Sequence, residues 1–175
     1  NWTGKPFLTA INLEPLEAQT ADDLVQGLVG SANAELRALI VERTDGTPLF
    51  IEETVRTLVE NGALRLRAGG YELTRQIPGI RIPETVQSVI AARIDSLSPN
   101  RKTLLQIASV IGSNIPIMLL REVADLSETE FQTLLAELKA AQFVYETPNP
   151  IYAQLKFRHA MIHEIAYGSL TLPKR

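Results

Sequence analysis

Apolar residues recur along this chain mainly at helical spacing, with two short alternating stretches set between the helical ones. From Thr20, the pairs Leu24/Leu28 and Val25/Val29 fall one helical turn apart. Thr20 and Asp22 are candidate caps, and Gly30 is the stop. Leu36, Leu39 and Ile40 make the stripe of a second helix over Ala34–Thr44, which Asp45-Gly46 breaks. A third helix is predicted from Pro48, whose missing N–H costs nothing in a first turn, and Asn61-Gly62 ends it. Glu52 and Glu53 sit near its positive end. Ala63–Arg67 and Tyr71–Thr74 then flank Ala68-Gly69-Gly70 as a hairpin.

Ile77–Pro83 reads as an irregular linker, followed by a helix from Pro83 to about Leu97 with Val86, Val89, Ile90, Ile94 and Leu97 on one side. Ser98-Pro99 caps the next helix, Pro99–Ile111, and places a domain boundary at 97/98. Pro116–Ala124 is a short helix, and Ser127 caps a longer one through Ala141 with Phe131, Leu134, Leu135 and Leu138 as its stripe. Phe143–Thr147 and Ala153–Phe157 alternate as strands around Pro148-Asn149-Pro150, and a last helix starts near His159. Three helices followed by a β-wing is the winged-helix order. Near the start, Pro6–Leu13 has the composition of one strand. The expected fold is mainly α with an α+β character: residues 1–15 a strand and linker, 16–97 a helical subdomain with a hairpin, 98–175 a winged helix.

Composition narrows the chemistry. The chain has 175 residues, is 45% hydrophobic and carries a formal charge of −3, which argues against a binder that neutralises nucleic-acid phosphates. There is no cysteine, so disulfides and thiolate chemistry are excluded. No apolar run approaches the roughly 18 residues of a spanning helix, so no membrane partner is expected. A cytoplasmic location is the expectation. The first residue is Asn1 rather than Met, consistent with an excised piece of a longer protein.

Winged helices often bind DNA through their third helix. Here that helix, Ser127–Ala141, carries Glu128, Glu130 and Glu137 against a single Lys139, and the wing adds Lys156 beside Glu146. Such a face repels phosphate and offers no arginine to read guanine. Protein or domain contacts are the better expectation, with a DNA-binding regulator or a plain protein-interaction module as alternatives.

Two stretches hold the candidate site residues. Arg43–Glu53 (RTDGTPLFIEE) is either a plain helix–turn–helix corner or a rigid glycine–proline corner against a flat ligand. Phe157–Tyr167 (FRHAMIHEIAY) holds both histidines. His159 and His163 share a helical face, but no third ligand is suggested nearby, so no metal site is expected. His159 at a helix start either packs locally or donates to a phosphate beside free backbone N–H groups. There is no Gly-x4-Gly-Lys-Ser/Thr phosphate loop, and no catalytic constellation can be assembled.

Four blocks in order, RTDGTPLFIEE, PETVQSVIAARIDSL (Pro83–Leu97), LLQIASVIGS (Leu104–Ser113) and FRHAMIHEIAYGSL (Phe157–Leu170), resemble a known family. It is the ATPase module accompanying class III adenylate/guanylate cyclase domains in bacterial multidomain proteins. These are STAND signalling ATPases, relatives of AAA+ proteins and of the NB-ARC and NACHT switches. The resemblance runs from about Phe7 to Pro173. It implies an upstream P-loop core, of which Phe7–Leu13 would be the last strand, then a helical lid, a winged helix and often helical repeats. It also implies roles. Gly46 and Pro48 match the Gly-x-Pro motif whose proline packs near adenine, and His159 resembles the histidine that touches the ADP β-phosphate. Thr47 stands where asparagine is common, and His163 where arginine is frequent. The implied cofactor is ATP or ADP with Mg held by the core, with none held tightly by these residues alone. The implied partners are the P-loop core and a cyclase or other effector domain, with no nucleic acid and no membrane.

Overall fold

The computed structural model describes residues 13–30, 34–67, 70–74, 80, 82–148 and 153–170. The strand expected at Pro6–Leu13 lies almost wholly outside them, as do the hairpin tip at 68–69 and most of the 77–83 linker. The chain divides into two compact units, Asn1–Val86 and Gln87–Arg175. It is mainly helical, with small antiparallel sheets, an α+β fold.

The first unit packs three helices, α1 (Ala18–Val29), α2 (Ala34–Thr44) and α3 (Pro48–Glu60), with a ribbon of β1 (Leu64–Arg67) and β2 (Gly70–Leu73). Ala21, Val25 and Val29 are buried at successive turns of α1, against Leu36 and Ile40 of α2 and Ile51, Val55 and Leu58 of α3. Burial of a Val, Leu or Ile side chain contributes about 1.5–3 kcal/mol, so this aliphatic seam supplies most of the unit's cohesion. Leu28, expected on the stripe, is 37% exposed. The helix also starts two residues before Thr20, with Glu17 as N-cap and no side-chain capping bond. Asp22 is used elsewhere: its Oδ1 accepts from Arg37 Nε at 2.9 Å, tying α1 to α2. The ribbon is fixed at its base, where Thr74 N–H donates to the Ala63 carbonyl at 2.9 Å and Thr74 Oγ1 to that of Gly62 at 2.6 Å.

The second unit contains α4 (Val86–Asp95), α5 (Pro99–Ile111), β3 (Asn114–Pro116), α6 (Ile117–Ala124), α7 (Glu128–Ala140), β4 (Val144–Thr147), β5 (Gln154–Phe157) and α8 (Ala160–Gly168), with only Val86 of α4 on the other side of the division. The three strands are antiparallel in the order β3-β5-β4, with Ile115 opposite Leu155 and Val144 opposite Phe157. Helix, strand, two helices and a hairpin whose last strand lies between the others is a winged-helix arrangement. Its core joins Leu104, Leu105 and Ala108 of α5 to Phe131, Leu135 and Leu138 of α7, Phe143, the inner residues of the sheet, and Ile162 and Ala166 of α8.

Helix α4 differs from expectation in two ways. It begins at Val86, because Glu84 and Thr85 form bends after Pro83. Its first buried side chain is Val89, so an earlier turn would bury nothing. And it lies in the second unit, not at the end of the first as the 97/98 boundary had it. The reason is Arg93, only 2% exposed. Its Nη2 donates to the Ala141 carbonyl at 2.7 Å, and its guanidinium lies 4.6 Å from the centre of the Phe143 ring.

Candidate functional site

The glycine–proline corner joins α2 to α3. Asp45 and Gly46 both have positive φ, 48° and 64°, which reverses the chain after α2. Thr47 N–H closes the turn on the Thr44 carbonyl at 3.0 Å, and Thr44 Oγ1 donates to Ile40 at 2.7 Å. Gly46 is buried, and its own carbonyl accepts from Leu16 N–H at 2.9 Å. A Cβ on Gly46 would overlap the Leu16 carbonyl oxygen, so the residue is glycine both for its backbone angle and for the close passage of another strand of chain. Pro48 occupies the first turn of α3 and is exposed. The corner thus gives its glycine to the fold and leaves its proline ring facing outward.

His159 stands at the start of α8, as expected. It is the N-cap, in extended conformation (φ −138°, ψ 146°), and its side chain makes no capping bond. Its carbonyl accepts the first helical bond, from Ile162 N–H at 3.1 Å. The turn into it is held by Arg158 N–H, which donates to the Phe143 carbonyl at 2.9 Å. His159 is half-buried. Gly46 and Pro48 lie in the first unit and His159 in the second.

His163, one turn on, does not share the surroundings of His159. Its Nε2 is 3.0 Å from the Ser109 carbonyl of α5. Since a carbonyl only accepts, Nε2 carries the hydrogen. The ring meets the edge of Phe157 at 5.2 Å and stacks near Tyr167 at 6.3 Å. His163 therefore clamps α8 to α5 through ordinary packing and one hydrogen bond.

The third helix of the winged helix, α7, presents its acids outward. Ser127 caps it, accepting from Glu130 N–H and donating to Glu130 Oε2 at 2.6 Å. Glu128 receives Arg121 Nη1 at 3.1 Å and Gln132 Nε2 at 2.9 Å. The Gln132 hydrogen bond, foremost, holds the Glu128 carboxyl below the usual carboxylate range; desolvation opposes it, and the hydrogen bond and charge of Arg121 add to the lowering. Lys139, the single cation of the helix, is taken by Glu146 of β4 at 2.7 Å.

A cavity of about 280 Å³ opens beside α8, lined by Ser113, Asn114, Lys156, Phe157, Ala160 and His163. The sequence weighed His163, with His159, as a metal ligand and set that aside, and noted Lys156 only as a wing cation. What it did not reveal is β3, which sets Asn114 opposite Lys156. Three residues ending in proline carry no alternation to detect, so the pairing is legible only in three dimensions.

Residues 17–69, covering α1 through β1 of the first unit, are similar to a family described as a domain of unknown function (DUF8739). No curated protein matches the chain.

Proposed function

We propose that these residues form the lid and winged-helix part of a nucleotide-switched signalling ATPase. In this reading they close over ATP or ADP held by a P-loop core and relay the nucleotide state to a cyclase or other effector domain. The observation that carries the reading is His159, an N-cap whose side chain is not used to cap, set directly after the wing of a winged helix. A histidine there can donate to a phosphate oxygen while the first turn of α8 adds its positive end. The exposed ring of Pro48, on a corner that Gly46 makes rigid, supports the same reading, since an apolar ring can pack on a nucleobase. The switch follows from differential contact: ADP held through His159 favours one arrangement, and exchange for ATP removes that preference. These residues carry out no chemistry in this scheme, and the activity belongs to other domains.

A DNA-binding role is disfavoured by α7, whose outward acids and neutralised Lys139 leave that helix no unpaired cation for a phosphate backbone. The test joins these residues to a P-loop core and compares ADP affinity of the wild type with that of His159→Ala. Loss of one hydrogen bond to a charged group, about 1.5–3 kcal/mol, predicts an affinity lower by about 10- to 100-fold. Unchanged affinity sinks the proposal. Salt-dependent binding of duplex DNA by the same protein would point to the regulator instead.

A further inference from the structure

The wing strand β5 runs inward–outward in strict alternation: Leu155 and Phe157 are buried, while Lys156 and the following Arg158 are not. Lys156 thus faces away from the core, and Arg158 follows β5 in the bend that leads to α8. In a protein of net charge −3, several of the described cations of the second unit have acids beside them. Arg101 lies 3.4 Å from Glu137, Arg121 3.1 Å from Glu128, and Lys139 2.7 Å from Glu146. Among the described residues, no carboxylate pairs with Lys156 or Arg158. Glu164 of α8 is nearby in sequence but exposed, and it does not line the adjoining cavity.

That cavity supplies what two loose surface cations lack. Lys156 is half-buried in its wall, Asn114 faces Lys156 across the β3–β5 ladder, Ser113 adds a hydroxyl, and Ala160, the first residue of α8, brings a helix-start backbone N–H. Phe157 and the face of His163 form the apolar floor, with the imidazole fixed by Ser109. Its volume, about 280 Å³, lies just under the roughly 300–1,000 Å³ of sites that enclose whole small-molecule ligands. It suits one charged head group rather than a complete cofactor.

We infer that this cavity is an oxyanion receptor for the phosphoryl group of a small molecule, with Lys156 as the principal contact, Asn114 and Ser113 as hydrogen-bond donors, and Arg158 as a flanking charge. A phosphoryl group fits better than a carboxylate because its tetrahedral oxygens can meet donors from the strand pair and from α8 together. The inference goes beyond the proposed switch and does not rest on it, because it requires neither the P-loop core nor His159.

The test is a titration of the 175-residue chain with inorganic phosphate at constant ionic strength, followed through backbone amide shifts. Saturable shifts are expected at Ser113, Asn114, Lys156 and Ala160, weakened at least about tenfold by Lys156→Gln, the loss expected for one charge-assisted contact. Arg158→Gln should weaken them less. Matched chloride and acetate are the controls, and neither Lys156 nor Arg158 is a core residue, so both variants leave the core intact. Parallel titration with ADP separates the sources: tighter binding than phosphate identifies a nucleotide, and equal binding a phosphoryl group recognised by itself. Shifts that never saturate, that chloride reproduces, or that survive Lys156→Gln would overturn the inference, and none of these results would alter the His159 test.

Discussion

The corners that lead into α3 and α8 are each closed by a backbone hydrogen bond, but what stands behind that bond differs. At the first, backbone meets backbone: Leu16 N–H bonds to the Gly46 carbonyl, and the space a side chain would need is filled by the Leu16 carbonyl. At the second, the turn is also closed by a backbone bond, but the residue that accepts it packs against a distant side chain. Arg158 N–H bonds to the carbonyl of Phe143, whose ring lies under the guanidinium of Arg93, which in turn holds Ala141. A backbone corner tolerates no added atom but asks little of its neighbours. A corner whose acceptor is braced by a side chain depends in addition on a residue far away in sequence. The difference bears on function, because the first corner has spent its glycine on the fold, whereas the second leaves the His159 side chain uncommitted to capping.

The comparison breaks most severely at Arg93. Arg93→Ala removes a charged hydrogen bond and a desolvated cation–π contact, and leaves the Ala141 carbonyl without its donor. We expect a loss of about 3 kcal/mol in the second unit, measured by urea denaturation, together with amide shift changes at Arg158 and His159. Shifts confined to α4, with His159 unmoved, would show that the second corner stands without Arg93.

Next in size is Gly46→Ala. A methyl group at φ 64° costs about 1 kcal/mol from backbone strain, and displacing the Leu16 segment adds about 1–2 kcal/mol. A destabilisation of about 2–3 kcal/mol is therefore expected in the first unit. Pro48→Ala, on an exposed ring in the same corner, should stay within about 0.5 kcal/mol. Equal effects from the two would mean that the corner is not a backbone device. The pair also sorts roles, since a Pro48 variant that folds normally remains usable for measuring nucleotide affinity.

The contrast explains how far the sequence could be read. Elements whose cause is local were legible: α2, α3, α5 and α7 follow from stripe, proline and cap, and Ser127 caps α7 as expected. The strands β4 and β5 were legible from alternation, and the winged-helix order followed from them. What failed has long-range causes. The position of α4 depends on Arg93 reaching Ala141, and β3 exists because β5 pairs with it. Gly46 is the instructive middle case. Its turn could be expected from Asp45-Gly46, but the burial of the glycine under Leu16 could not, because nothing near Leu16 in sequence announces the contact. The same holds for the cavity beside α8, where Lys156 gains meaning only once Asn114 lies opposite it.

The smallest expected effect concerns a third helix start, that of α7, which is built by its own side chains. Glu128 is held below the usual carboxylate range, first by the Gln132 hydrogen bond and then by Arg121. Gln132→Ala should raise the Glu128 pKa toward that of an ordinary glutamate, as followed by carboxyl carbon shifts during a pH titration. The sign of the linkage follows from the depressed value. The native state binds the Glu128 proton more weakly than the unfolded chain, so this stabilisation is fully present above the unfolded pKa. It is lost as pH falls through the lower, folded value. Glu128 is solvent-exposed, so the change should appear as a titration shift with little movement of the melting temperature. A Glu128 titration unchanged by Gln132→Ala would assign the depression to Arg121 instead. That outcome would make the start of α7 depend on α6, and so place it with the corner before α8 rather than apart from it.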